Sequence, residues 1–183
     1  MVYEARQFTL KNGMNVLIKT PEVEDAKELL SFIQKACGET DFLLSTPEDM
    51  NFSVEKEEDF ITSYREGSNY LLAIYVDGKI VGDSFLNFSS AIKLRHRGEV
   101  GIAIRKEYWG LGIGSILFEI MIQLAKEKEG IEQLNLAYLS NNKRGENLYK
   151  KFGFETTGIT PKAIKQIDGS YADKVLMTKF LEK

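Results

Sequence analysis

Residues 102–115 read Ile-Ala-Ile-Arg-Lys-Glu-Tyr-Trp-Gly-Leu-Gly-Ile-Gly-Ser. The run from Glu99 to Ile104 alternates like a β-strand, and the apolar positions from Ile113 onward follow a helical period. Three glycines at alternate positions, from Gly110 to Gly114, let the backbone approach a ligand and expose N–H groups where a helix begins. Because the helix dipole places about half a positive charge there, the turn is predicted to bind a phosphate or pyrophosphate.

Two common nucleotide-binding motifs do not fit this turn. The dinucleotide fingerprint G-x-G-x-x-G, counted from Gly110, needs glycine where the chain has Ser115. The triphosphate P-loop needs Gly-Lys-Ser/Thr, which does not occur in the sequence. On the turn alone, a glycine-rich connection that only permits tight packing of strand and helix remains an alternative.

Composition favours a single globular domain over residues 1–183. The chain has 43% hydrophobic residues, 24 Lys+Arg and 27 Asp+Glu, for a net charge of −3, so we expect neither nucleic acid nor a membrane as partner. One cysteine, Cys37, and one histidine, His96, exclude an internal disulfide and any multi-cysteine or two-histidine metal site. With no signal segment and no apolar run long enough to span a membrane, we expect a cytoplasmic protein.

The order of periodic segments predicts a mixed α/β sheet flanked by helices. The pair Asp77-Gly78 is the clearest hairpin signal. The predicted strands are Met14–Ile18, Tyr70–Val76, Lys79–Phe88, Glu99–Ile104, Leu134–Leu139 and Phe154–Thr157, followed by a hairpin over Ala163–Phe180. The predicted helices are Pro21–Gly38, Val54–Arg65, Ile113–Leu124 and Asn142–Phe152, with residues 39–53 irregular.

A second motif lies about 30 residues beyond the glycine turn. Residues 142–154 read Asn-Lys-Arg-Gly-Glu-Asn-Leu-Tyr-Lys-Lys-Phe-Gly-Phe, which resembles the Asn-x-x-Ala-x-x-Leu-Tyr-x-x-x-Gly-Phe segment of the GNAT superfamily of N-acetyltransferases. Residues 102–114 resemble that family's acetyl-CoA signature, Arg/Gln-x-x-Gly-x-Gly/Ala. Trp109 replaces the usual Arg or Gln and Gly145 the usual Ala, while the tail Gly169–Asp173 resembles the branch of ribosomal-protein and polyamine acetyltransferases.

The resemblance implies a central, mostly antiparallel sheet that splays between the fourth and fifth predicted strands. It also implies direct transfer of the acetyl group of acetyl-CoA to a primary amine, without a metal. Strand main-chain groups would bind the pantetheine and the glycine turn the pyrophosphate, while the strand's isoleucine side chains would be core. Asn142 would meet the pantetheine or phosphate end of the cofactor; the alternative is a plain helix N-cap, and both roles are compatible. The implied cofactor-binding residues are Ile102, Ala103, Ile104, Gly110, Leu111, Gly112, Ile113, Gly114, Ser115 and Asn142.

Two residues are candidates for catalysis. Tyr149 matches the family tyrosine that donates to the leaving thiolate, a task that suits a phenol because its pKa is about 10; the alternative is an aromatic packing residue. Some members carry a carboxylate where this chain has Ala137, so any general base must come from elsewhere. Glu99 is the candidate, acting through a water, and the alternative is an ion pair with Arg95 or Arg97.

The acceptor is left open by the sequence. A small cationic amine such as a polyamine and the α-amine of a protein terminus both fit, and the acidic run Glu55–Asp59 at the start of a helix would attract a cationic acceptor. The alternative function is a non-catalytic acyl-CoA-binding sensor, which would not need Tyr149. A homodimer is an expectation at the level of the family only.

Overall fold

A computed structural model describes residues 1–182, which form two compact units. Unit 1 contains Met1–Asn87 and Gly101–Ile116, and unit 2 contains Phe88–Val100 and the residues from Leu117 onward. The strands are β1 (Arg6–Thr9), β2 (Asn15–Lys19), β3 (Tyr70–Val76), β4 (Lys79–Phe88), β5 (Arg97–Ile104), β6 (Gln133–Leu139), β7 (Glu155–Lys165) and β8 (Tyr171–Phe180). The α-helices are α1 (Ala26–Glu39), α2 (Val54–Glu66), α3 (Ile113–Glu127) and α4 (Lys143–Lys151).

In unit 1, antiparallel pairing joins β1 to β2, β2 to β3, and β3 to β4. The C-terminal half of β5 lies beside β4, and the N–H of Arg105 donates to the Val81 carbonyl at 2.9 Å. Asp77 and Gly78, between β3 and β4, both have positive φ angles, the conformation of a type I′ hairpin turn. The predicted hairpin is therefore confirmed.

Helix α2 covers one face of this sheet. Ser53 caps its N-terminus and accepts from the Lys56 N–H, and Gly67 ends it. Its buried residues recur at helical spacing, Glu57, Ile61 and Tyr64, so one face of the helix points inward. Two of the three join a hydrophobic cluster formed by α1, α2, β3, β4 and β5: Ala26, Leu29, Phe32, Ala36, Ile61, Tyr64, Leu71, Ala73, Tyr75, Ile80 and Ala103.

In unit 2, the strand order is β5, β6, β8, β7. The first pair is parallel and runs over three residue pairs, from Arg97 opposite Gln133 to Glu99 opposite Asn135, whereas β6 and β8 pair antiparallel over seven. So short a parallel register is what a splay between these two strands requires. The predicted class, a mixed α/β fold with a mostly antiparallel sheet, is confirmed.

The structure corrects four details of the predicted elements. The prediction missed β1, which is short and largely exposed. Gly38 lies inside α1 and does not end it. The predicted strand at Phe154–Thr157 and the start of the hairpin are one strand, β7, because an edge strand tolerates Pro161 at a place where the register shifts. Ile102 and Ile104 are only partly buried, so their side chains are not core.

No helix within residues 1–182 is long and apolar enough to cross a membrane. Over the same residues, no group of three or more His, Cys, Asp or Glu side chains is placed to hold a metal ion.

Candidate active site

The glycine turn connects β5 to α3 in unit 1. Gly110 and Gly112 have φ angles of +83° and +98°, a region that costs a residue with a Cβ about 1–2 kcal/mol. Ser115 and Ile116 donate their N–H groups to the Gly112 carbonyl and start the helix. Among the described residues, the N–H groups from Gly110 to Gly114 donate no main-chain hydrogen bond of this kind, so they are available to a ligand.

Two contacts hold the entry to this turn. The Trp109 indole donates to the Ile104 carbonyl at 2.7 Å and stacks on Phe42 with ring centroids 6.0 Å apart, so Trp109 anchors the loop by packing. Glu39 accepts from the Arg105 guanidinium at 2.6 Å and from the Lys106 N–H at 2.7 Å. Burial opposes the charge on Glu39, but these hydrogen bonds outweigh it and lower its pKa.

The strand predicted to bind pantetheine has part of its main chain already engaged. The Ile104 carbonyl is taken by the Trp109 indole, and the Gly101 carbonyl accepts from the Ser84 hydroxyl at 3.0 Å. The Ala103 main chain hydrogen-bonds to Asp83 on β4. The remaining groups of Ile102, Ala103 and Ile104 are the ones that a cofactor could use.

Tyr149 lies on α4 in unit 2 within an aromatic cluster. Its ring is 5.5 Å from the rings of Phe118 and Tyr138, centroid to centroid. Burial, helped by Tyr138, raises the pKa of Tyr149 to about 12. Tyr149 is therefore a phenol that remains protonated at neutral pH, and its ring packs within this cluster. Its role as a proton donor to the leaving thiolate stays a prediction.

The start of α4 brings Asn142 and Tyr149 together around a glycine. The Asn142 side chain caps the helix by accepting from the Gly145 N–H at 2.8 Å. A Cβ added to Gly145 would lie 2.7 Å from Asn142 Nδ2 and 3.0 Å from the Tyr149 hydroxyl oxygen, closer than van der Waals contact permits. Glycine in place of the family's usual alanine therefore lets these two polar groups approach the helix.

Glu99 is exposed on β5 in unit 2, opposite Asn135. Its carboxylate forms no ion pair with another described residue, since the Arg97 guanidinium donates instead to Asn135 Oδ1 at 3.0 Å. Ala137, where some family members have their carboxylate, is exposed on β6. Glu99 is thus free to meet a water or a substrate.

Unit 1 contains two acids with raised pKa values; the sequence pattern indicated Glu57 only within the acidic run Glu55–Asp59 and did not indicate Asp83. Glu57 on α2 is only 5% exposed, and no hydrogen bond or ion pair joins its carboxylate to another described residue. Burial raises the pKa of Glu57 to about 7. Burial and the nearby Glu57 charge together raise the pKa of Asp83, on β4, to about 7 as well.

The sequence held only half of the signal for this pair. Glu57 falls on the apolar face of α2, in phase with Ile61 and Tyr64, which is visible as a helical period. Its relation to Asp83 depends on how the helix packs on the sheet, and this cannot be obtained from spacing. Cys37 on α1 is buried in the same unit, and burial together with Asp83 and Asp49 raises the pKa of its thiol, so it is not an activated nucleophile.

Residues 39–154, more than half of the chain, match the family model described as the acetyltransferase (GNAT) family. The chain belongs to the GNAT family of acetyltransferases. The predicted resemblance and the predicted enzyme class are confirmed.

Individual relatives and a solved structure agree with this result. An L-amino acid N-acetyltransferase of Escherichia coli is 27% identical over 115 residues, which cover 63% of this chain and 70% of the relative. An N-alpha-acetyltransferase of Sulfurisphaera tokodaii is 30% identical over 122 residues, 62% of this chain and 69% of the relative. A GNAT-family crystal structure from Streptococcus pneumoniae superposes with a TM-score of 0.85 at 30% identity, over 90% of this chain and 99% of that one.

Proposed function

We propose that this chain, acting as one catalytic domain over residues 1–183, transfers the acetyl group of acetyl-CoA directly to a primary amine. The observation that carries the proposal is the glycine turn, whose N–H groups from Gly110 to Gly114 donate no turn or loop hydrogen bond to the main chain of the residues that the structure describes. A chain of this family with such a turn has the donors that a pyrophosphate needs. A structural neighbour from Salmonella typhimurium, with a TM-score of 0.79 at 18% identity over 92% of this chain and 95% of that one, is described with its cofactor acetyl-CoA.

The assignment of cofactor-binding groups follows from the free main-chain positions. The turn from Gly110 to Ile113 would bind the pyrophosphate, with Gly114 and Ser115 continuing it as the first turn of α3. The unengaged main-chain groups of Ile102, Ala103 and Ile104 would bind the pantetheine amides. Asn142 would keep its role as helix cap and meet the cofactor with its side-chain amide.

The chemistry requires a proton to leave the amine and another to reach the sulfur. Acetyl-CoA supplies a thioester whose thiolate departs when a neutral amine attacks. An alkylammonium of pKa about 10.4 loses its proton at neutral pH at a cost of roughly 4.6 kcal/mol, so a proton acceptor is needed. We assign that task to Glu99, through a water, because its carboxylate is exposed and forms no ion pair with a described residue.

Tyr149 is assigned as the proton donor to the thiolate. Its raised pKa keeps the phenol protonated at every pH at which the enzyme would work, and its hydroxyl lies at the first turn of α4 beside Gly145. The acceptor remains one of the two classes that the sequence allows, a small cationic amine or a protein N-terminus. Of the relatives, one is named for L-amino acids and another for N-alpha positions.

Cofactor binding is tested by thermal unfolding with acetyl-CoA, with NADH and ATP as controls. A ligand at 100 times its Kd adds about 2.7 kcal/mol to the free energy of unfolding, which for a chain of this size raises Tm by roughly 5–11 °C. Gly112→Ala should abolish that rise. Gly13→Ala is the matched control, because Gly13 also has a positive φ of +83° with open space around it but lies in the β1–β2 turn.

Catalysis is tested separately with Tyr149→Phe. We expect thiol release from acetyl-CoA in the presence of an amine to slow by about 10²-fold, with the acetyl-CoA shift in Tm unchanged. A wild-type protein that binds acetyl-CoA but acetylates no amine would instead support the sensor function. No rise of Tm at saturating acetyl-CoA would contradict the proposal as a whole.

A further inference from the structure

A short entry loop, residues 105–109, leads from β5 into the glycine turn. Its middle, Lys106–Tyr108, is one turn of 3-10 helix. Glu39, the last residue of α1, fastens the first end of the loop, and Phe42, three residues beyond Glu39, stacks on Trp109 at the last end. All of these residues belong to unit 1. The chain direction at the start of the glycine turn is therefore fixed from outside the turn.

The Glu39 carboxylate uses both of its oxygens in this contact. Oε1 accepts from the Arg105 Nε–H at 2.6 Å, and Oε2 accepts from the Lys106 main-chain N–H at 2.7 Å, distances at the short end for charge-assisted hydrogen bonds. The Glu39 and Arg105 side chains are 26% and 22% exposed, so salt screens the pair less than a fully exposed one. A carboxylate that binds a side chain and the next main-chain N–H together holds the backbone as well as the guanidinium.

Arg105 is committed to carboxylates of its own chain. Its guanidinium also lies 3.3 Å from the carboxylate of Glu107, a side chain that is 61% exposed. Glu39 in turn binds Lys106, only four residues before Gly110. By charge alone an acid in this place works against an anion at the turn, so the value of Glu39 to an anion must come from the geometry that it imposes.

The glycine turn needs such support because its own backbone is permissive. Gly110 and Gly112 have φ angles of +83° and +98°, and glycine loses more conformational freedom on ordering than any other residue. A ligand that had to order this turn would bind more weakly, whereas a turn that is already ordered binds at no such cost. Contacts that fix the entry loop therefore raise the affinity of the turn without contacting its ligand.

We propose that Glu39 is a positioning residue for the cofactor, which orders the entry loop and with it the glycine turn for a pyrophosphate. The inference rests on the proposed function, because the pyrophosphate is that of acetyl-CoA. Glu39 acts through Arg105 and the Lys106 N–H. Its loss should therefore weaken cofactor binding and leave the transfer step itself unchanged.

The test is calorimetric titration of the wild-type protein and of Glu39→Gln with CoA. The amide is nearly isosteric but has one acceptor oxygen in place of two, so it cannot satisfy both donors. We expect the Kd for CoA to rise about 10-fold, the effect of losing a hydrogen bond to a charged group. Glu107→Gln is the matched control, since it removes the same charge from the exposed side of the same guanidinium, and it should leave the Kd within about 2-fold. If charge alone decided, both variants would bind CoA more tightly than the wild type.

Kinetics separate positioning from a general loss of structure. In Glu39→Gln the KM for acetyl-CoA should rise about 10-fold with kcat unchanged. With S-acetylpantetheine, a thioester donor that lacks the pyrophosphate, kcat/KM should equal that of the wild type, whereas a damaged protein would lose activity with both donors. Arg105→Gln should also raise the Kd for CoA, and adding it to Glu39→Gln should raise the Kd no further if the two residues act as one unit. Arg105→Gln is also the variant to use if Glu39→Gln does not fold.

The outcomes distinguish this inference from the proposed function. If the wild-type protein binds CoA and Glu39→Gln binds it equally well or better, the inference is wrong and the proposed function stands. Weaker binding by Arg105→Gln together with tighter binding by Glu39→Gln would also overturn it, because Arg105 would then contact the phosphates directly. If the wild-type protein binds CoA but acetylates no amine, a 10-fold weaker Glu39→Gln still supports the inference. A wild-type protein that binds no CoA would contradict both.

Discussion

Two glutamates, on helices α4 and α2, have opposite surroundings and opposite pKa shifts. Glu146 on α4 accepts from Lys143 at 2.9 Å and from Lys150 at 2.7 Å, and these hydrogen bonds lower its pKa to about 2. Glu57 on α2 is buried without such a partner, and its pKa is raised to about 7. The first group is charged at all working pH values, and the second changes its charge near neutrality.

The difference shows which of the two carboxylates lowers the free energy of unfolding. A partly buried surface carboxylate such as that of Glu146, paired with two lysines, costs little and contributes little. A buried one without a partner reduces the free energy of unfolding whenever it ionises. If this contrast holds, the inner face of α2 should be more tightly packed than α4 and should also carry the carboxylate whose ionisation lowers the free energy of unfolding.

The largest effect is expected from packing on the inner face of α2. Ile61, one turn beyond Glu57, is fully buried, so Ile61→Ala should lower the free energy of unfolding by about 2–5 kcal/mol. Leu148→Ala on α4 is the comparison, and since Leu148 is only partly buried it should cost roughly half of that or less. Urea denaturation measures both, and equal costs would contradict the contrast between the two helices.

Most of the fold in the Ile61 region was predictable because it depends on local patterns. The bounds of α2, β3 and β4 follow from helical period, capping by Ser53, and the Asp77-Gly78 turn. The elements that were wrong are those in which tertiary context decides. Gly38 lies in the last turn of α1, whose buried face packs in the hydrophobic cluster from Ala26 to Ala36. Pro161 is accommodated at the edge of a sheet.

A second effect concerns pH and follows from the raised pKa of Glu57. The unfolded chain releases this proton near pH 4.3, whereas the folded protein keeps it until about pH 7. The folded state therefore binds more protons between these values, and stability falls as the pH rises from 5 to 8. The loss is on the order of 2 kcal/mol, or roughly 4–8 °C in Tm.

Glu57→Gln removes the titrating carboxyl group. The free energy of unfolding of the variant should therefore fall less than that of the wild type from pH 5 to 8, and at pH 8 the variant should have the higher Tm. Glu146→Gln is the control. Its pKa of about 2 in the folded protein places its contribution below this window, so the pH profile of the wild type should be retained. A Glu57→Gln profile as steep as that of the wild type would show that Glu57 is not buried in solution.

The candidate site was only partly predictable for a related reason. The glycine turn and the α4 motif are contiguous in sequence, so residues 110–115 and 142–154 could be found as patterns. Glu57 and Asp83 lie on a helix and a strand 26 positions apart, and nothing in either segment marks the other. The same is true of Glu39, which holds Arg105 from the end of α1.

The smallest effect on stability, with a larger one on turnover, is expected at Gly145. An alanine there would place its Cβ 2.7 Å from Asn142 Nδ2 and 3.0 Å from the Tyr149 hydroxyl oxygen, so the helix cap or the tyrosine must shift. Losing the cap costs about 1 kcal/mol, but alanine gains about the same amount over glycine inside a helix. Gly145→Ala should therefore leave Tm within a few degrees of the wild type, while thiol release slows because the tyrosine is displaced.

Gly158→Ala is the control in the same unit, since its added Cβ meets only the Leu176 side chain at ordinary contact distance. If Gly145→Ala turns over as fast as Gly158→Ala, the position of the Tyr149 hydroxyl beside this glycine is not the one from which it donates its proton.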